Sequence, residues 1–274
     1  LKLRFIKLQG NGNDFILIDE YEGVLIPEEL KGEFARIYCD RRYGIGADGV
    51  LFLSNPGGGS LKMRLFQPDA SEADMCGNGI RCFAKYAHDV GYTGSTGQII
   101  TPAGVIFVNS ILDSDGDYEA CVDMPTPEFE REKIPAKGNG EYKEEICGFT
   151  VYAVNTGVPH AVVIVESVDS IMINEIGPVI RNHASFLKGA NVNFVEKTGI
   201  DALKIRTYER GVEDETLSCG TGATASAAVL HHLGQVGRKV NVETAGGPLI
   251  IEFGEMTRMQ GPAASVYWGI IELE

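Results

Sequence analysis

Three features are scarce in this sequence, and each scarcity removes a class of function. Basic residues are outnumbered, with 24 lysines and arginines against 38 aspartates and glutamates and a formal net charge of −14. A surface of that sign repels phosphate backbones and anionic lipid, so no nucleic acid and no membrane is an expected partner. Long apolar runs are lacking too: none approaches the roughly 20 residues of a bilayer-spanning helix, and no signal-peptide pattern opens the sequence. The expected setting is cytoplasmic. Metal-ligand spacing is the third absence. There is no CxxC pair and no HxxxH, and Cys76 and Cys82 are poorly spaced for zinc, so no metal is expected. Lack of a CxxC pair also counts against a thiol–disulfide redox protein. The six cysteines (Cys39, Cys76, Cys82, Cys121, Cys147 and Cys219) are scattered through 274 residues. Reduced thiols are therefore expected rather than a disulfide framework, and a Cys76–Cys219 disulfide would be an oxidation product.

What is present is a repeat. Cys76-Gly77-Asn78-Gly79 and Cys219-Gly220-Thr221-Gly222 each run into a small-residue, helix-like stretch. Met63-Arg64-Leu65-Phe66 precedes the first much as Ile205-Arg206-Thr207-Tyr208 precedes the second, and Glu72 and Glu215 each stand four residues before their cysteine. Each strand–loop–Cys–helix run reads as one module used twice, an internal duplication. Between the modules, Asp113-Ser114-Asp115-Gly116-Asp117 is the best boundary, giving expected domains 1–115 and 116–260. Strands are expected at Leu3–Leu8, Phe15–Asp19, Val50–Leu53, Leu61–Phe66, Ile99–Ile100 and Val105–Ile111 in the first half. In the second they fall at Thr150–Val154, Ala161–Val165, Val192–Glu196, Leu203–Tyr208 and in a terminal run. Helices are expected from Pro27 to Cys39, after each repeated cysteine, and near Val168–Arg181. Pro125–Glu145, charged and punctuated by proline and glycine, reads as a long solvated loop.

A thiol at a helix N-terminus has its thiolate favoured, and the free N–H groups there attract an anion. Cys76 and Cys219 therefore read as a pair of acid–base groups, each beside a seat for a carboxylate or a phosphate. Cys39, Cys82, Cys121 and Cys147 read as small buried apolar residues. Gly44-Ile45-Gly46-Ala47-Asp48-Gly49 has dinucleotide-type glycine spacing, but a β-rich run follows it, so it reads as a plain turn. His160, Glu209 and Arg210 carry no decisive signal by spacing alone, which favours a structural histidine and a solvated turn over function. His231 and His232 read as surface or partly buried.

The runs Gly10-Asn11-Gly12-Asn13-Asp14-Phe15, Ser71-Glu72 with Cys76 to Cys82, Gly157-Val158-Pro159-His160, Asn191-Val192-Asn193-Phe194, and Tyr208-Glu209-Arg210-Gly211 with Cys219 to Gly222 together resemble diaminopimelate epimerase. The resemblance covers nearly the whole chain, in order. It implies an α/β (α+β type) fold of two similar domains, each a mostly antiparallel curved sheet around a central helix, with the active site in the cleft between them. Residues 261–274 would return to the first domain. It implies an isomerase without cofactor, independent of pyridoxal phosphate, that interconverts LL- and meso-2,6-diaminopimelate in lysine and peptidoglycan precursor biosynthesis. Cys76 and Cys219 would be the acid–base pair, with His160 and Glu209 tuning the thiols and holding the substrate amine. Gly77, Asn78, Gly220 and Thr221 would hold the carboxylate beside the reacting carbon. Asn13, Gln67, Asn191, Glu209 and Arg210 would supply the remaining contacts to this small-molecule substrate. Two positions depart from the family pattern: Gln67 and Val158 stand where asparagine is usual, and Val158 cannot bond through its side chain. A proline racemase-like epimerase is the nearest alternative, followed by a redox protein or an anion-binding module. A homodimer is compatible with Tyr267 and Trp268 on a terminal strand, though a core position would suit them equally.

Overall fold

The Asn11-Gly12 turn sets the first hairpin. Both residues have positive φ, 53° and 79°. That geometry matches the twist of the strands β1 (Lys2–Gly10) and β2 (Asn13–Glu20), and Gly10 faces Asn13 across the turn. The structure, a computed structural model, describes residues 2–112 and 116–272. The chain divides into two units, Leu1–Val122 with Gly261–Glu274, and Asp123–Gln260. The expected Asp113–Asp117 break falls mostly on 113–115, outside the described residues.

After β2, helix α1 (Lys31–Tyr38) crosses to β3 (Gly49–Ser54), which lies parallel to β2 and antiparallel to β4 (Leu61–Phe66). The short β5 (Glu72–Ala73) folds back on β4, and helix α2 (Gly77–Asp89) crosses to β6 (Thr96–Thr101), parallel to β4. Then β7 (Gly104–Leu112) and β8 (Tyr118–Met124) follow as a meander.

The second unit repeats this series. After β9 (Lys143–Ile146) come β10 (Phe149–Asn155), β11 (Pro159–Val165), helix α3 (Ile173–Arg181), β12 (Asn191–Gly199), β13 (Ala202–Glu209) and β14 (Asp214–Thr216). Helix α4 (Gly220–His232), β15 (Lys239–Thr244), β16 (Gly247–Phe253) and β17 (Thr257–Pro262) complete it. The parallel pairs again bracket helices: β11 with β12 across α3, and β13 with β15 across α4. One exchange breaks the order. In the second unit β9 precedes its partner β10, whereas in the first the partner of β1 is β18 (Ala264–Glu272), from the far end of the sequence.

Each unit wraps its sheet around one helix. Helix α2 packs on β1, β2, β3, β4, β7 and β18, and α4 on β10, β11, β12, β13, β15 and β16. Apart from Thr221, α4 is buried from Gly220 to Leu230 and is made almost wholly of small residues, as a helix enclosed on all sides requires. Among the described residues no helix is long and apolar enough to cross a membrane.

The mixed α/β architecture with its duplication agrees with the sequence reading, while several local expectations fail. Pro125–Glu145 is not a solvated loop: Ile134, Ala136 and Tyr142 join the second unit's core, and Glu128 bridges to Asn155. Its polar composition serves turns that still bury their few apolar residues. Strand β8 was hidden beside the Asp/Gly break, although Tyr118, Ala120, Val122 and Met124 alternate inward. Val168–Arg181 opens as a 3-10 turn at Val168–Ser170, and α3 begins only at Ile173. Cys39 and Cys82 are buried as expected, but Cys121 is only partly buried and Cys147 is exposed in a turn at φ 52°. A core position for the terminal aromatics also fails, since Trp268 is 68% exposed and Tyr267 46%.

Candidate functional site

Both repeated cysteines occupy the same local position. Cys76 is the N-cap of α2 and Cys219 the N-cap of α4, each with extended backbone leading into a helix of 13 residues. Ahead of each lies an arginine–carboxylate clamp. Arg64 on β4 donates twice to Glu72, at 2.6 and 2.8 Å, and Arg206 on β13 donates twice to Glu215, at 2.7 Å each. Phe66 faces Glu72 and Tyr208 faces Glu215, so the two hairpins share one register. Two residues before each carboxylate the chain turns through a left-handed residue, Ala70 at φ 70° and Glu213 at φ 59°. The clamps fix where each hairpin ends, and hence where each cysteine starts its helix.

In the first unit, Cys76 is held by two groups of opposite kind. The Gly79 N–H donates to its sulfur at 3.4 Å, and the sulfur lies 3.6 Å from Asn13 Oδ1. Asn78 Nδ2 donates to the same Asn13 oxygen at 3.3 Å. Asn13 cannot turn its amide round, because its Nδ2 donates to Asp48 at 2.6 Å. Asp48 is in turn gripped by Arg41 at 2.7 Å. Arg41 also holds Asp14, whose carboxyl loses solvent by burial yet is drawn down to about 2 by hydrogen bonds from Arg41 and Lys7. The Gly44–Gly49 turn thus leads into a strand, as expected, but its aspartate orients Asn13. Gln67 sits on the β4–β5 turn, where its amide oxygen accepts from Ser71 at 3.0 Å.

Beneath Cys76 lies Arg81, which no spacing argument singled out. It is fully buried, and burial lowers its pKa to about 10. Its guanidinium donates to Asn11 Oδ1 (2.5 Å), Asn78 Oδ1 (2.9 Å), the Gly77 carbonyl (3.2 Å) and the Pro262 carbonyl (3.2 Å). One side chain therefore ties the first turn of α2 to the β1–β2 turn and to the segment entering β18. A lone arginine within a run of small and apolar residues was the available signal.

In the second unit, Cys219 Sγ lies 3.4 Å from Thr221 Oγ1, and the Thr221 carbonyl accepts from Thr156 at 2.9 Å. Asn191 Oδ1 accepts the Arg210 backbone N–H at 2.8 Å. The Arg210 guanidinium rests on the carbonyls of Lys188 and Gly189 at 3.3 and 3.4 Å. His160, fully buried, contacts Asn191 and Asn193. Glu209, half-buried, ends β13. Burial pushes the Cys39 and Cys82 thiols up to about 12, which leaves these two inert. His231 stacks on Phe253, and His232 on Phe129.

Burial, helped by the positive charge of Arg210, lowers the His160 pKa from its ordinary 6.5 to about 3. Between those values the unfolded chain binds a proton that the folded chain does not. Stability is therefore lost as pH falls from about 6.5 towards 3. Asp14 acts only lower, between its ordinary 3.8 and about 2. The urea midpoint of the wild type should therefore drop more from about pH 7 to about pH 4.5 than that of His160→Gln. Equal drops in the two proteins would contradict a buried neutral imidazole.

A family model for diaminopimelate epimerase matches residues 5–128 and 152–266. The diaminopimelate epimerase of Methanothrix thermoacetophila is 54% identical, over 100% of this chain and 97% of its own. That of Methanocella arvoryzae is 50% identical, over 100% and 98%. Among solved structures, a phenazine biosynthesis protein of the PhzF family from Bacillus anthracis aligns with a TM-score of 0.74 at 15% identity, covering 100% of both chains. A probable proline racemase from Agrobacterium radiobacter aligns at 0.67 and 15%, over 99% of this chain and 93% of that one. At such identities the structural likeness speaks for the fold alone. The sequence relatives reach further, because their similarity runs through both cysteine modules and nearly every strand between them: the chain belongs to the diaminopimelate epimerase family.

Proposed function

We propose that this chain interconverts LL- and meso-2,6-diaminopimelate with Cys76 and Cys219 acting on opposite faces of one α-carbon. Family membership makes it an isomerase acting on a small-molecule substrate, within lysine biosynthesis. The observation that carries the two-thiol reading is that each cysteine caps an enclosed helix at the same place in its own unit.

In the forward step one cysteine, as thiolate, takes the α-proton: a C–H bond breaks and an S–H bond forms. The other, as thiol, delivers its proton to the opposite face, so its S–H bond breaks and a new C–H bond forms. The proton count is unchanged and the two sulfurs have exchanged roles, so the reverse reaction uses the same groups. The adjacent carboxylate would accept from the N–H groups of Gly77, Asn78, Gly220 and Thr221. Helix N-termini favour that negative charge, and fixed dipoles stabilise the carbanion-like transition state at little reorganisation cost. Asn13, Gln67, Asn191, Glu209 and Arg210 are assigned to the rest of the substrate, and His160 and Glu209 to tuning the thiols. No cofactor and no metal enters this scheme.

Incubation with LL-diaminopimelate in deuterium oxide should yield meso product carrying deuterium at the inverted α-carbon, and proline should be left unchanged. Racemisation of proline without turnover of diaminopimelate would sink the reading. Two smaller parts belong with it. One is a cytoplasmic setting. The other is a homodimer formed through β18, where Trp268 and Ile270 share an exposed face and Val266 stands out at a bulge. Light scattering should give a dimer mass that Trp268→Lys reduces to a monomer; a monomeric wild type would remove that part.

A further inference from the structure

The duplication has diverged at one buried spot. Val50 faces Phe66 and Val192 faces Tyr208, so Val50 and Val192 are equivalent, and Leu51 corresponds to Asn193. Ile16 faces Val50 and Ala161 faces Val192, so Phe15 corresponds to His160. The helices report the same equivalence. A Cβ on Gly79 would lie 3.5 Å from both Leu51 and Phe15, whereas one on Gly222 would collide with Asn193 Oδ1 and sit 3.3 Å from Cys219 Sγ. Beside Cys76 the unit is thus closed by phenylalanine and leucine; beside Cys219 it carries histidine and asparagine, both fully buried. Buried polar groups are unfavourable unless fully bonded, so this exchange calls for a function.

The hydrogen bonds around the pair fix every proton. Asn193 Nδ2 donates to the Ala161 carbonyl at 3.3 Å, and its Oδ1 accepts from Thr207 Oγ1 at 3.0 Å. Because a carbonyl only accepts, the Asn193 amide has one orientation. Its second N–H then points at His160 Nδ1, 3.0 Å away, which must accept. The imidazole proton therefore sits on Nε2. Asn191 is fixed as well, because its Oδ1 takes the Arg210 N–H. Asn191 Nδ2 consequently meets His160 Nε2 at 3.5 Å as donor against donor, a contact in which neither can accept from the other.

We infer that Asn193 is a positioning residue that locks His160 in its Nε2–H form.

The test is nitrogen NMR of the full chain carrying ring-labelled histidine, with His160 assigned among the five histidines by the His160→Gln spectrum. In the wild type, Nδ1 should resonate as an unprotonated nitrogen and Nε2 as a protonated one, unchanged from mildly acidic to mildly basic pH. Asn193→Asp, which can only accept when ionised, should move the proton to Nδ1. Asn193→Leu, with the side chain that the first unit carries at Leu51, should give mixed tautomers. Both should lose roughly 10–100-fold in kcat/KM. A wild-type imidazole protonated on Nδ1 overturns the lock without needing any variant to fold. Unchanged tautomers in both Asn193 variants would overturn it as well. Failure to turn over diaminopimelate at all would count against the proposed function and leave the lock to the tautomer measurement.

Discussion

Cys76→Ala and Cys219→Ala should each lose epimerisation by about 10³-fold or more, near the upper end of what one general acid–base group supplies. Inversion needs a proton removed from one face and another delivered to the opposite face, so a single remaining thiol can return a proton only to the side from which it came. The losses should therefore not multiply: the double variant should be little worse than either single one, as expected of groups that act as a unit. Neither substitution should unfold the protein. Cys76 contributes one weak sulfur cap to α2, Cys219 contributes no side-chain cap to α4, and both helices stay enclosed by their sheets. Comparable thermal melts alongside lost turnover would support the assignment. Full epimerisation by either single variant would refute it.

Arg81→Met should show the largest effect on stability, about 3–5 kcal/mol, read from urea unfolding. Methionine fills much of the volume but offers no donor. The oxygens of Asn11 and Asn78 and the carbonyls of Gly77 and Pro262 would each lose a charge-assisted partner in a region closed to water. Lysine should recover only part, since an ammonium cannot span four acceptors arranged for a planar fork. Because Gly77 and Asn78 are both held by Arg81, the remaining folded protein should also bind substrate less well. A change below about 1 kcal/mol would show that the network rearranges around the gap.

How far the sequence led can be judged from single residues. The cysteine runs, the strands before them and the carboxylates four residues ahead were all visible as a repeat, because repetition needs no knowledge of contacts. What those carboxylates do was not visible. Glu72 and Glu215 clamp arginines one strand back, and only the register of a hairpin shows that. The roles of Asp48, Arg81 and Asn193 were hidden for the same reason: Asp48 meets Asp14 across 34 positions, and Arg81 meets Asn11 across 70. Local pattern also misjudged Pro125–Glu145. A run rich in charge and glycine reads as solvent-facing even when Ile134 and Tyr142, few among many polar neighbours, turn inward. Conversely, nothing local chose between a core place and a dimer contact for Trp268, which stands exposed on β18.

The place of β18 has a consequence for the order in which the halves mature on the ribosome. Residues 123–260 hold a whole unit, including β9, the neighbour of β10, and can close once they emerge. The first unit cannot, because the flank of β1 is covered by Ala264–Glu272, which are made after residues 123–260. Of the two units, the one started earlier is thus completed later, and until then a hydrogen-bonding strand edge is bare. Lys2 and Arg4, both exposed on β1, are the kind of residue that discourages a neighbouring nascent chain from pairing there.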